Sequence, residues 1–255
     1  MNCSRSVSGF LVIAGLLASA RPAIAQTCVP PPSGLVAWWP GDGNTNDIAG
    51  GRDGQLVGSA MFAPGMVDGA FSFDGDGWIE VPDDPIWTLG HNDFTIDLWV
   101  RFNSLSGRDP FIGHDDGPGV GAREDNKWIF WYDVDGHDQL RGTPALRFHI
   151  NRFPNGPVRD PVAVPWTPTL SRWYHVAVTK KHHSHYTLYI DGVPVATDVI
   201  GTPIADPVVP LTIGKSEEFT LDGLVDEVEI FNRALEPAEI GAIYAAGSAG
   251  KCKTP

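Results

Sequence analysis

Hydrophobic and polar positions alternate along this chain in short runs, from the mid-30s to the 230s. Segments 35–39, 54–57, 70–73, 78–81, 94–102, 127–133, 146–150, 173–179, 187–190, 194–198, 211–214 and 223–231 read as half-buried strands between clusters of Gly, Pro, Asn and Asp. In 94–102 the apolar set is Phe94, Ile96, Leu98, Val100 and Phe102, so Asp97, Trp99 and Arg101 fall on the opposite side. In 146–150 Leu146, Phe148 and Ile150 point inward, and Arg147 and His149 outward. In 127–133 either set, Trp128/Phe130/Tyr132 or Ile129/Trp131, can face out, and Trp131 is taken as the outward aromatic. In 223–231 Leu224, Val228 and Ile230 form the inward set, which leaves Glu227 and Glu229 to solvent.

One helix follows at 236–246. Pro237 suits a first helical position, Glu239 the first turn and Gly247 the cap, while Ile240, Ile243 and Tyr244 share a face. Many short strands and a single helix predict an all-β fold, a two-sheet antiparallel jelly-roll sandwich closed by a short C-terminal helix. Segments 103–126 and 151–170 are rich in Gly, Pro, Asp and Arg and read as long loops, where binding is expected on a rigid sandwich.

The N-terminal 25 residues do not fit this pattern. Arg5, an apolar run over 10–20 and Ala23-Ile-Ala25 make a secretory signal peptide, with the folded domain at 26–255. The apolar run is about half the roughly 20 residues that a spanning helix needs, so no membrane insertion is expected. Losing the signal removes Cys3 and leaves Cys28 and Cys252, which an oxidising compartment would bridge; two free thiols are the alternative. The chain has 18 basic and 31 acidic residues, and removal of Arg5 and Arg21 takes the formal charge from −13 to −15. Such a surface argues against nucleic acid and anionic membranes as partners and is compatible with divalent cations and neutral sugars.

Several blocks carry a family resemblance. They are Leu35-Val-Ala-Trp-Trp-Pro-Gly-Asp-Gly-Asn-Thr-Asn-Asp, Val67-Asp-Gly-Ala-Phe-Ser-Phe-Asp-Gly-Asp-Gly-Trp-Ile-Glu-Val-Pro, Phe94-Thr-Ile-Asp-Leu-Trp-Val-Arg, Trp173-Tyr-His-Val-Ala-Val-Thr, Leu188-Tyr-Ile-Asp-Gly-Val-Pro-Val and Asp226-Glu-Val-Glu-Ile-Phe-Asn-Arg-Ala-Leu. In order and spacing they resemble the laminin G-like, concanavalin A-like jelly-roll family of bacterial secreted proteins, over about 34–247. The resemblance implies the fold; its members range from sugar-binding modules to adhesion and scaffold domains. The stretch 103–170 is longer than the compact family pattern.

Four kinds of site are candidates. Asp42-Gly-Asn-Thr-Asn-Asp47 gathers oxygen donors in a short loop, as calcium requires, although Asx turns use the same residues. The resemblance adds Asp226 from the last strand, so Asp42, Asn44, Asp47 and Asp226 are the metal candidates. Asp97, Trp99, Arg101, Trp131, Arg147 and His149 form the second candidate, a glycan face in which Trp stacks on sugar rings and Asp, Arg and His take hydroxyls. The alternative is that a loop covers Trp99 and that Asp97 pairs with Arg101 or Arg147. Trp78 and Trp87 read as packing residues. Third, Lys181-His-His-Ser-His-Tyr186 reads as a hairpin turn before it reads as a zinc or copper site. Fourth, laminarinase-type hydrolases of similar fold place three acids on alternate positions of one strand. Here only Glu227-Val-Glu229 comes near, and Arg147-Phe-His149 resembles a lyase site only faintly.

The expected protein is a secreted, extracellular or periplasmic, non-catalytic carbohydrate-binding module with a structural calcium, whose partner is an extracellular or cell-surface glycan. A protein-interaction or adhesion domain is the rival reading, with a protein partner held by 103–126 and 151–170. A polysaccharide lyase or glycoside hydrolase is a further one.

Overall fold

The computed structural model describes Met1 and residues 28–117, 126–135, 140–152, 156 and 158–253. The predicted signal peptide after Met1, with its cleavage site, and parts of the two predicted loops lie outside them. Along the chain run β1 (Leu35–Trp39), β2 (Gln55–Gly58), β3 (Met61–Pro64), β4 (Gly69–Asp74), β5 (Gly77–Val81), β6 (Phe94–Phe102), β7 (Arg108–Asp115), β8 (Lys127–Asp133) and β9 (Ala145–Asn151). There follow β10 (Val158–Pro165), β11 (Trp173–Lys181), β12 (His185–Ile190), β13 (Val193–Val199), β14 (Leu211–Ile213), β15 (Lys215–Ser216), β16 (Phe219–Thr220), β17 (Asp222–Phe231) and α1 (Pro237–Ala246).

Two large antiparallel sheets result. One has eight strands in the order β13-β12-β11-β6-β17-β4-β3, with β1 also on β17; the other has seven, β10-β9-β8-β7-β14-β5-β2. Strands β15 and β16 form a separate ribbon. The two inner faces share one core, into which Phe94, Ile96, Leu98, Val100 and Phe102 enter from β6, Trp128, Phe130 and Tyr132 from β8, and Leu146, Phe148 and Ile150 from β9. These are the alternations read from the sequence.

The short strands β3, β15 and β16 are absent from the sequence reading, and three longer strands depart from it for local reasons. β7 and β10 occupy the segments expected to be loops. In β7 a bulge between Pro110 and Ile112 turns both Phe111 and Ile112 into the core, so the alternation is broken. β10 carries Pro161 and Pro165, tolerated because it is an edge strand. In β17 the register shifts between Asp226 and Glu229, and Glu227 has a left-handed φ of 54°. The inward residues are therefore Val225, Val228 and Ile230, with Val225 in place of the expected Leu224. The same bulge brings Asp226, Glu227 and Glu229 to the outer face, where they are buried rather than in solvent.

The closing helix forms as expected. Pro237 is its first residue, the Glu239 carboxylate accepts the Glu236 amide at 2.8 Å, and Gly247 ends it at a φ of 52°. It covers the outer face of the eight-stranded sheet, where Ile240 and Ile243 pack with Ala177, Tyr189, Phe231 and Leu235. Beyond it, Cys252 is bridged to Cys28 with Cα atoms 4.9 Å apart, and Val29 pairs in parallel with Lys251. The predicted disulfide is thus present.

Candidate functional site

The six predicted ligand residues lie on the outer faces of two different sheets and do not form one surface. Asp97, Trp99 and Arg101 belong to β6, in the eight-stranded sheet. Asp97 is buried, and its Oδ2 lies 3.1 Å from Nε2 of His175. Trp99 is covered by the closing helix, with Tyr244 5.7 Å and His175 5.2 Å away between ring centroids. Strand alternation alone cannot foresee this, because the cover comes from a helix more than a hundred residues later. Arg101 is half-buried, opposite Trp173 and Leu224 in register.

Trp131, Arg147 and His149 stand together on the outer face of the seven-stranded sheet. The rings of Trp131 and His149 are 5.7 Å apart. Arg147 donates through Nη1 to Asp160 Oδ2 at 2.8 Å, and through Nη2 to the carbonyls of Leu140 and Thr143 at 2.9 and 2.7 Å. The other oxygen of Asp160 lies 2.9 Å from Nδ1 of His149. All three predicted residues are buried, so they make a fixed layer under the surface and not the surface itself.

Beside them lie side chains that are partly open. The Arg108 guanidinium sits 4.7 Å from the Phe219 ring centroid and 5.8 Å from that of Trp131, and its Nε is 3.2 Å from Asp133. The Lys215 ammonium lies 3.6 Å from the Trp78 ring centroid. Lys127, itself buried, pairs with the half-buried Glu217 and, at 3.8 Å, with Asp115. A strip of rings and charges therefore crosses the sheet from Trp78 on β5, past the β15–β16 ribbon, to Arg108, Trp131 and His149. Arg108, Lys215 and Phe219 are missing from the sequence reading, which takes Trp78 for a packing residue. The available signal was alternation in β5: Ile79 and Val81 fill the core, so Trp78 must point out. A cation on a ring face holds both groups in place while leaving N–H donors for hydroxyls and an apolar face for C–H groups.

The predicted calcium residues do not converge. Asp47 Oδ1 accepts the backbone amides of Trp38, Ala49 and Gly50 at 2.8, 3.0 and 2.9 Å, and its Oδ2 accepts that of Arg52. Asn44 Oδ1 accepts the amide of Asn46, an Asx turn. Asp42 accepts Gly69 N–H at 3.0 Å and the Lys253 ammonium at 2.6 Å. Asp226 Oδ2 accepts the amides of Met66 and Val67 at 2.7 and 2.8 Å. Burial, with the charge of Glu227 adding to it, pushes the Asp226 carboxyl up to about 8. Among the described residues, no group of three or more His, Cys, Asp or Glu is placed to hold a metal ion.

The remaining candidates find structural partners. His182 and His183 open the β11–β12 turn, where Asp93 accepts both of their backbone amides at 3.1 and 2.9 Å. Next to it lies a pocket of about 380 Å³ lined by Asp93, His183, Asn92, Leu89 and Asn232 among others. Glu227 and Glu229, the nearest approach to a catalytic pair, are buried against Lys251, whose Nζ lies 3.4 and 2.9 Å from them.

Two packed antiparallel sheets, a helix over one of them and an aromatic and ionic strip on the other define a jelly-roll sandwich of the kind that lectins and glucanases share. The chain belongs to the concanavalin A-like lectin/glucanases superfamily, whose laminin G-type model matches residues 73–241. Comparison with curated proteins gives no match. Among solved structures, the chain is similar to domain 4 of AbnA, a GH43 extracellular arabinanase from Geobacillus stearothermophilus, in complex with arabinotriose. The TM-score is 0.64 at 20% identity, over 81% of this chain and 96% of that one. It is also similar to the binding domain of Paraclostridial Mosquitocidal Protein 1, with a TM-score of 0.61 at 16% identity over 83% of this chain and 52% of that one. The binding domain of Botulinum Neurotoxin DC, in complex with SialylT, gives a TM-score of 0.58 at 14% identity over 84% and 52%. This chain spans about half the length of the two toxin binding domains. At these identities the likeness is one of fold.

Proposed function

We propose that this protein is a secreted, non-catalytic glycan-binding domain whose contact surface is the partly exposed part of the strip, Trp78, Arg108, Lys215, Glu217 and Phe219. The observation that carries this reading is the arrangement of the strip. Arg108 and Lys215 lie over aromatic rings at partly exposed positions, and Arg108 also reaches the ring of Trp131, which packs on His149 of the buried Arg147–Asp160–His149 network. Sugar rings would stack on Trp78 and Phe219, Arg108 and Lys215 would donate to hydroxyls, and Glu217 would accept from them. Trp131, Arg147 and His149 would hold that surface rigid, which lowers the entropy lost on binding. The likeness to a domain seen with arabinotriose supports the ligand class.

Two further observations support the finer parts. Glu227 and Glu229 are tied to lysines in a buried cluster, so neither is available as an acid or nucleophile. The Cys28–Cys252 bridge accords with export by the predicted leader. No described helix is long and apolar enough to cross a membrane.

A glycan array covering neutral and acidic oligosaccharides, followed by chromatography of each bound sugar after prolonged incubation, tests the reading. Selective retention with the sugar recovered intact is expected. Release of new reducing ends or unsaturated uronates would make the protein an enzyme and refute the non-catalytic part.

A further inference from the structure

The resemblance to calcium-holding jelly rolls and the side chains of this protein disagree, and the place where they disagree is occupied. β17 changes partners on one edge: β4 pairs with residues 222–225 and β1 with residues 228–231. The bulge at Glu227 lies at that changeover and puts Asp226, Glu227 and Glu229 on the outer face, near Asp97 of β6 and Asp42 of the loop after β1. So many carboxylates in a buried place need counter-charge.

We infer that Lys251 and Lys253, fixed by the Cys28–Cys252 bridge between them, are the permanent counter-cations of this cluster and stand in the place of a divalent cation. Lys251 Nζ is 2.9 Å from Glu229 Oε1 and 3.4 Å from Glu227 Oε2, and lies 5.3 Å from the Trp38 ring centroid. Lys253 Nζ is 2.9 Å from Glu227 Oε1 and 2.6 Å from Asp42 Oδ2. Trp38 Nε1 donates to Glu227 at 3.1 Å, which ties β1 to the same cluster. Of the carboxylate oxygens not facing a lysine, Asp42 Oδ1 and Asp226 Oδ2 accept the amides of Gly69, Met66 and Val67, while Asp97 Oδ1, Asp226 Oδ1 and Glu229 Oε2 are buried without a hydrogen-bond partner. A calcium ion needs six to eight oxygens turned towards one point. Here the partnered oxygens turn towards two ammonium groups and a turn, at several separate points.

The disulfide gives this arrangement its permanence. Cys252 separates the two lysines, and its backbone amide donates to Val29 at 2.8 Å, so the bridge holds both ammonium groups over β17. The sandwich is closed by a covalent tether carrying cations, and chelators have nothing to remove. This inference does not depend on whether the opposite sheet binds a glycan.

Thermal unfolding of the oxidised full chain, with millimolar EDTA and with millimolar calcium, tests it. The expected melting temperature is the same in both. Lys253→Met should lower it by about 5 °C, Lys253→Arg should restore most of that, and Lys251→Met should lower it by about 10 °C. The cost of Lys253→Met should shrink in a Cys252→Ser background, because an untethered lysine no longer holds its place. Should Lys251→Met fail to fold, the Lys253 series carries the test alone. A drop in melting temperature with EDTA, a gain with calcium, or no effect of Lys253→Met would overturn the inference. Full additivity of Lys253→Met and Cys252→Ser would overturn the role given to the bridge.

Discussion

Asp109 is a carboxyl group on β7 with almost no water around it, and one of its oxygens has no partner. Burial pushes its pKa from 3.8 up to about 7, the charge of Asp222 adds to this, and the backbone amide of Asp222 opposes it. The folded protein therefore holds this proton between pH 4 and pH 7 while the unfolded chain has released it. Stability falls as pH rises through that window, and the loss is complete above about pH 7. Asp109→Asn keeps an acceptor for the Asp222 amide and removes the charge. The variant should melt higher than the parent at pH 8, with the gain shrinking towards zero near pH 4, as calorimetry across that range would record. A constant difference at every pH would show that the charge is not the cause. The same scale marks how far the site could be read in the sequence. Alternation correctly put Asp97, Trp99, Arg147 and His149 on outer faces. It could not tell that α1 covers Trp99, or that Arg147 spends its donors on Asp160, Leu140 and Thr143. Outward-facing is a property of a strand; exposed is a property of everything packed on it.

Among the elements, those with unbroken period-two patterns, such as β6, β9 and β11, were legible, as was the helix with its proline start and glycine stop. β7, β10 and β17 were misread in part because bulges shift which residues point inward, and a bulge leaves little mark in a single sequence. β10 further hides behind two prolines that only an edge position permits. The closing helix contributes through its buried face, with Ile240 fully buried against the sheet. Ile240→Ala should cost about 3 kcal/mol, measured by urea unfolding. Tyr244→Ala should cost less, since its ring is partly exposed, yet it should change the fluorescence of Trp99 by admitting water. A loss of under about 0.5 kcal/mol for Ile240→Ala would mean that the helix is not a packed part of the domain.

For the whole molecule, one core between two sheets is closed at the ends of the described chain by Cys28 and Cys252, 224 residues apart. A loop of that length restricts the unfolded chain by about 5 kcal/mol on the chain-entropy account, with native strain reducing the gain. Reduction should move the urea midpoint down by a corresponding amount; an unchanged midpoint would show that the bridge contributes nothing to the folded balance. The helix and the lysines lie on the other sheet, and the proposed recognition face is that of the seven-stranded sheet. Trp78 and Arg108 stand at opposite parts of its strip, and neither belongs to the core. The most direct measurement is calorimetric titration of the best-retained oligosaccharide into the parent, Trp78→Ala and Arg108→Ala, with circular dichroism to establish that each is folded. The account predicts saturable binding to the parent and at least a roughly tenfold loss of affinity in each variant. Undiminished affinity in both folded variants, or no glycan bound by the parent, would contradict it.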